Sequence, residues 1–123
     1  MTPFGHRVRQ LRAEKKITQK QMAKEIGVSA AYLSALEKGS RSAPSWAFVQ
    51  RVIGYFNIIW DDAAELEELA LRSRPRAIVD TKKLSAEATE LANLLSEKIG
   101  QLDKADVVAL IDEIKVRTDR NRN

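Results

Sequence analysis

The side chains best suited to act on a partner cluster between Gln19 and Arg41. They are hydroxyls, methyls, an amide and cations rather than nucleophiles or metal ligands. Ser29, Ala30, Ala31 and Tyr32 stand together, Ser34 and Ala35 follow one step behind, and Gln19, Lys20, Lys38 and Arg41 surround them. At the leading end of a helix, short hydroxyls can reach base edges or phosphates, and alanine methyls can touch the methyl of thymine. Cations and an amide around such a tip suit phosphate groups, which position a protein on a duplex without conveying sequence. Each residue also has a plainer use: Ser29 can cap a helix, Tyr32 can pack its ring at a helix junction, and a lysine can sit on a solvated face.

Other chemistries have little to build on. The chain has no cysteine, which rules out disulfides, thiolate metal sites and thiol nucleophiles, and its single histidine, His6, has no second histidine to join. The acidic set Asp61, Asp62, Glu65, Glu67 and Glu68 lacks the glycine-containing spacing of a calcium loop and suits a helix start and a solvated face. No phosphate loop or nucleophile motif is present, so neither an enzyme nor a cofactor is expected. No apolar run approaches the roughly 18 residues of a membrane span. The polar stretch from Met1 to Gln10 is unlike a secretory signal, so the expectation is a cytoplasmic protein with no membrane partner.

Several helices must carry these residues. Phe4, Val8 and Leu11 recur at helical spacing, leaving Arg7, Arg9, Arg12, Lys15 and Lys16 on a face expected to be solvated. Thr18 caps a short second helix holding Met22, Ala23 and Ile26, which Gly27 stops. Ser29 caps a third, with Leu33 and Leu36 inward and Gly39 at its end. The pair reads as a helix-turn-helix, since Ala23 is small where a second helix crosses, Gly27 allows a tight turn, and Met22, Ile26, Val28, Leu33 and Leu36 are apolar. Pro44 and Ser45 open a fourth helix with a stripe at Trp46, Val49, Ile53 and Phe56, widened by Phe48, Val52 and Tyr55. Trp46 and Trp60 are expected as core or interface rings. A fifth helix runs from Asp61 to about Arg72, with Leu66, Leu69 and Ala70 inside.

From 73 to 83 the helical period is lost around Pro75, which marks a linker. Arg72, Arg74 and Arg76 there could reach a phosphate or a narrow minor groove, though a charged linker explains them as well. Beyond it, Leu84, Ala88, Leu91, Leu95, Ile99 and Leu102 form one stripe and Val107, Leu110, Ile111 and Ile114 another, separated by Gly100 and the capping residue Asp103. These predict a helical hairpin over 84–123, able to fold back on the first unit, to dimerise, or to bind another protein through 84–116. The net charge of +4 is uneven: residues 1–60 carry ten Lys or Arg against three Glu, a net of +7, and residues 61–123 carry eleven against fourteen Asp or Glu, a net of −3. The basic half suits a polyanion.

Residues 4–60 resemble the Cro/C1-type (Xre) helix-turn-helix family of regulators. The resemblance is carried by Ile17-Thr18-Gln19-Lys20-Gln21-Met22-Ala23, Gly27-Val28-Ser29, Tyr32-Leu33-Ser34, Leu36-Glu37-Lys38-Gly39 and Pro44-Ser45. It implies an all-α fold, with a five-helix lambda-repressor-like DNA-binding domain over 1–72 followed by the C-terminal helical hairpin. It also implies that Gln19 anchors to the sugar-phosphate backbone and that Ala30, Ala31, Tyr32 and Ala35 face base edges. Several relatives carry glutamines where this chain has Ala30 and Ala31, so no base code is carried over. The expected partner is double-stranded DNA and the expected assembly a homodimeric repressor on a palindromic operator. The alternative is an antitoxin that autoregulates its operon while the hairpin neutralises a toxin.

Overall fold

The computed structural model describes residues 1–39 and 43–121. Among them every regular element is a helix, with no strand, and the chain divides into two units, Met1–Ala77 and Ile78–Asn123.

The first unit holds α1 (Pro3–Lys15), α2 (Gln19–Ile26), α3 (Ala30–Lys38), α4 (Trp46–Tyr55) and α5 (Trp60–Leu71). Four of the five starts are fixed by a side-chain hydroxyl that accepts an otherwise unpaired backbone N–H. Thr2 accepts from Gly5, Thr18 from Gln21, Ser29 from Tyr32 and Ser45 from Phe48, at 3.0 to 3.2 Å. Pro3 opens α1, where a missing N–H costs nothing. The fifth start has no side-chain cap but places Asp61 and Asp62 in the first turn, where the helix dipole favours anions. Gly27 ends α2 at φ +87°, a left-handed conformation that a side chain would strain, and this produces the tight turn into α3.

One core joins these helices: Phe4, Val8 and Leu11 from α1, Met22, Ala23 and Ile26 from α2, Leu33 and Leu36 from α3, Phe48, Val49 and Val52 from α4, with Phe56, Leu66 and Ala70. Each large side chain buried there contributes on the order of 1.5–3 kcal/mol. Two expectations need correction. Of the two readings of Trp46 and Trp60, the core one fails: they are 65% and 84% exposed, because both stand at the first position of a helix while Phe48, Val49 and Val52 take the inward register of α4. Arg12 is not solvated: its side chain is 13% exposed and paired with Glu37.

The second unit holds α6 (Ala86–Lys98), a 3-10 turn (Ile99–Gln101) and α7 (Lys104–Asn121). Ser85 caps α6 by accepting from the Ala88 N–H, and Asp103 accepts from the Asp106 N–H at 2.8 Å. Leu84 lies in the turn ahead of Ser85 rather than on the helix stripe. Neither helix buries a residue; Leu91, Leu95, Ile99, Leu110, Ile111 and Ile114 are all exposed. No helix among the described residues is long and apolar enough to cross a membrane.

Candidate nucleic-acid interface

The turn at Gly27 brings the start of α3 to the surface. Ser29, Ala30 and Ala31 are exposed there, and Tyr32, Ser34 and Ala35 are half-buried. The Ser29 hydroxyl caps α3. The Tyr32 ring packs edge-on against Phe48, with centroids 5.5 Å apart, which ties α3 to α4. The two residues with the plainest structural readings therefore both fill those roles here. Lys20 and Lys38 are exposed, Gln19 is half-buried, and Arg41 lies outside the described residues.

At the other end of α3 sits a charged network absent from the sequence expectations. Arg12 Nε donates to Glu37 Oε1 at 2.8 Å and Nη2 to Oε2 at 3.1 Å, a two-pronged pair, while Nη1 reaches the Ile17 carbonyl at 3.2 Å. Gln19 Nε2 donates to the same carboxylate at 2.7 Å. Glu37 is 4% exposed, so a buried carboxylate is satisfied by one residue from α1 and one from α2. The network locks the end of α3 to the end of α1 and the start of α2 and fixes the orientation of the Gln19 amide. A cleft of about 360 Å³ opens over it, lined by Arg9, Arg12, Gln19, Ser34, Glu37 and Lys38 among others. With Glu37 neutralised by Arg12, Arg9 and Lys38 leave the rim of the cleft cationic.

Close approach makes the network possible. A Cβ on Gly5 would stand 2.5 Å from the Glu37 carbonyl oxygen, so α1 and α3 cross where no side chain fits. Arg51 donates from Nη2 to the Ile26 carbonyl and so holds the end of α2 to α4. Sequence reading missed Arg12, Glu37, Gly5 and Arg51. The clue was available for two of them: a glutamate at an inward register of α3 and an arginine on α1 are complementary once the helices cross. His6, by contrast, is exposed on α1, with Gln10 Nε2 3.2 Å from its ring nitrogen.

The comparisons with known proteins agree with this geometry. A family model described as a helix-turn-helix domain matches residues 3–69. The chain is 37% identical over 120 residues to the HTH-type transcriptional repressor RghR of Bacillus subtilis (strain 168), covering 89% of this chain and 87% of that protein. It is also 37% identical over 65 residues to the uncharacterized HTH-type transcriptional regulator YazB of the same organism, covering 53% of this chain and 93% of that protein. With the uncharacterized HTH-type transcriptional regulator RghRB, also from Bacillus subtilis, it shares 32% identity over 62 residues, covering 50% of this chain and 45% of that protein. No solved structure matches. On the turn at Gly27, the exposed tip of α3 and these matches, the chain belongs to the helix-turn-helix family of DNA-binding transcriptional regulators.

Proposed function

We propose that the chain is a homodimeric, sequence-specific repressor that binds a palindromic operator through the first turn of α3. The observation that carries this reading is an exposed tip with no acidic side chain, Ser29-Ala30-Ala31, at the start of a helix whose far end carries the exposed Lys38 and is anchored by the Arg12–Glu37–Gln19 network, with Lys20 exposed at the start of α2. Entering the major groove N-terminus first, this turn presents two methyls and a hydroxyl to base edges, with Ser34 and Ala35 behind and Tyr32 holding the helix at its rim. Gln19, Lys20, Lys38 and Arg41 serve phosphates. Because Gln19 Nε2 is committed to Glu37, the amide presents a fixed geometry instead of searching rotamers. Repression, rather than activation, rests on the name of the relative that matches over most of both chains.

Dimerisation has two supports. One helix tip supplies few base contacts, and two copies on a two-fold site supply the affinity that one lacks, with recognition helices about 34 Å apart. The apolar side chains of α6 and α7 find no burial within their unit, and a second copy of the same helices covers them.

The test is the salt dependence of binding to duplex DNA, followed by fluorescence anisotropy. Affinity falls steeply between roughly 50 and 200 mM salt if several phosphates are neutralised. A flat dependence contradicts the reading.

A further inference from the structure

Arg72, Arg74 and Arg76 leave the first unit at a fixed place. Ser73 is 2% exposed, accepts the Phe4 N–H at 2.9 Å and donates to the Leu69 carbonyl, so the chain emerging from α5 is pinned to the start of α1. That start also touches the end of α3: a Cβ on Gly39 would meet the Thr2 methyl carbon at 2.8 Å. Arg72 and Arg74 are accordingly held beside Gly39, at the end of α3, and Arg76 follows two residues on. Gly39, Arg72 and Arg74 border one hollow of about 230 Å³, and Ala43, Pro44 and Arg74 border another of about 210 Å³. Arg74 thus lines both hollows, and Pro75 limits the freedom of the chain just beyond it.

All three arginines are exposed, and among the described residues no ion pair or side-chain hydrogen bond engages them. A solvated linker does not need a buried, doubly hydrogen-bonded serine to hold its root.

We propose that Arg72, Arg74 and Arg76 form a second DNA contact, a basic arm that binds phosphates of the duplex next to the end of α3 and widens the footprint of each half of the protein. The proposal rests on the DNA-binding reading above. Its ligand is the sugar-phosphate backbone, so the contact adds affinity to every sequence alike and steepens the salt dependence.

The experiment titrates the full chain against a fluorescein-labelled mixed-sequence duplex at several salt concentrations. It compares the wild type with two triple variants, Arg72→Gln/Arg74→Gln/Arg76→Gln and Arg72→Lys/Arg74→Lys/Arg76→Lys, with circular dichroism as the check on folding. Each phosphate contact contributes about 0.9 to the slope of log affinity against log salt, so the glutamine variant loses about two to three units of slope and roughly tenfold or more in affinity. The lysine variant keeps both, since phosphates accept either cation. A glutamine variant with the wild-type slope overturns the proposal, and so does a lysine variant as weak as the glutamine one, because that pattern needs the planar guanidinium and not the charge. A wild type without salt sensitivity instead brings down the DNA-binding reading itself.

Discussion

Glu37 shows how one residue can hold a site in place without touching its ligand. Its carboxylate is nearly out of water and is balanced by Arg12, so removing the cation leaves a buried charge with only the Gln19 amide to offset it. Arg12→Met should cost about 3–5 kcal/mol in urea unfolding, whereas the double change Arg12→Met with Glu37→Met should recover most of that loss. Gly5→Ala should destabilise by about 1–3 kcal/mol, because its methyl meets backbone rather than a yielding side chain. Tyr55 ties stability to alkaline pH: burial first, and the nearby Glu25 carboxylate second, raise its phenol above the ordinary 10.0. A pKa raised in the fold means that the stabilisation is whole below about 10 and is lost as pH rises through the folded value. Unfolding of Tyr55→Phe should therefore show a shallower alkaline decline than the wild type. The charges of Glu37 and Arg12 were legible in advance but their pairing was not, and nothing in the sequence marked Gly5. Periodicity assigns a residue to a face of its own helix, while the fate of a charged side chain on that face depends on which helix crosses it and how closely.

At the scale of elements the sequence was far more readable, and the reason is local. Thr18, Ser29 and Ser45 cap helices through hydrogen bonds to N–H groups three residues ahead, and Gly27 and Gly39 end helices in a conformation open to them, so these boundaries are written in single residue types. The exposure of Trp46 and Trp60 escaped for the opposite reason, since both sit at helix starts, where a stripe drawn from spacing gives no guide to register. The caps also bear on the proposed function, because the Ser29 hydroxyl that ends the turn begins the helix proposed to enter the groove. Ser29→Ala should cost about 1 kcal/mol in thermal or urea unfolding. Lys38→Ala, at the exposed end of α3, should leave stability unchanged, weaken binding to all duplexes alike and lower the salt slope by about one in anisotropy titrations.

At the scale of the whole molecule the two units differ in charge, a net of +5 over residues 1–77 and −1 over 78–123. The first unit has its own core, while α6 and α7 expose leucines and isoleucines that gain burial from association. In analytical ultracentrifugation the full chain should sediment as a dimer and the fragment 1–77 as a monomer at the same concentration. If the two behave alike, the second unit serves a different protein partner. The central claim, that the tip of α3 reads DNA, is tested most directly by selecting bound sequences from a random duplex library with the wild type and with Ala31→Glu. Ala31 is exposed, so the change should leave the melting curve in place while bringing a carboxylate against the groove floor. The account predicts that the wild type enriches one palindromic motif and that Ala31→Glu enriches none. Recovery of the same motif by both proteins would contradict it.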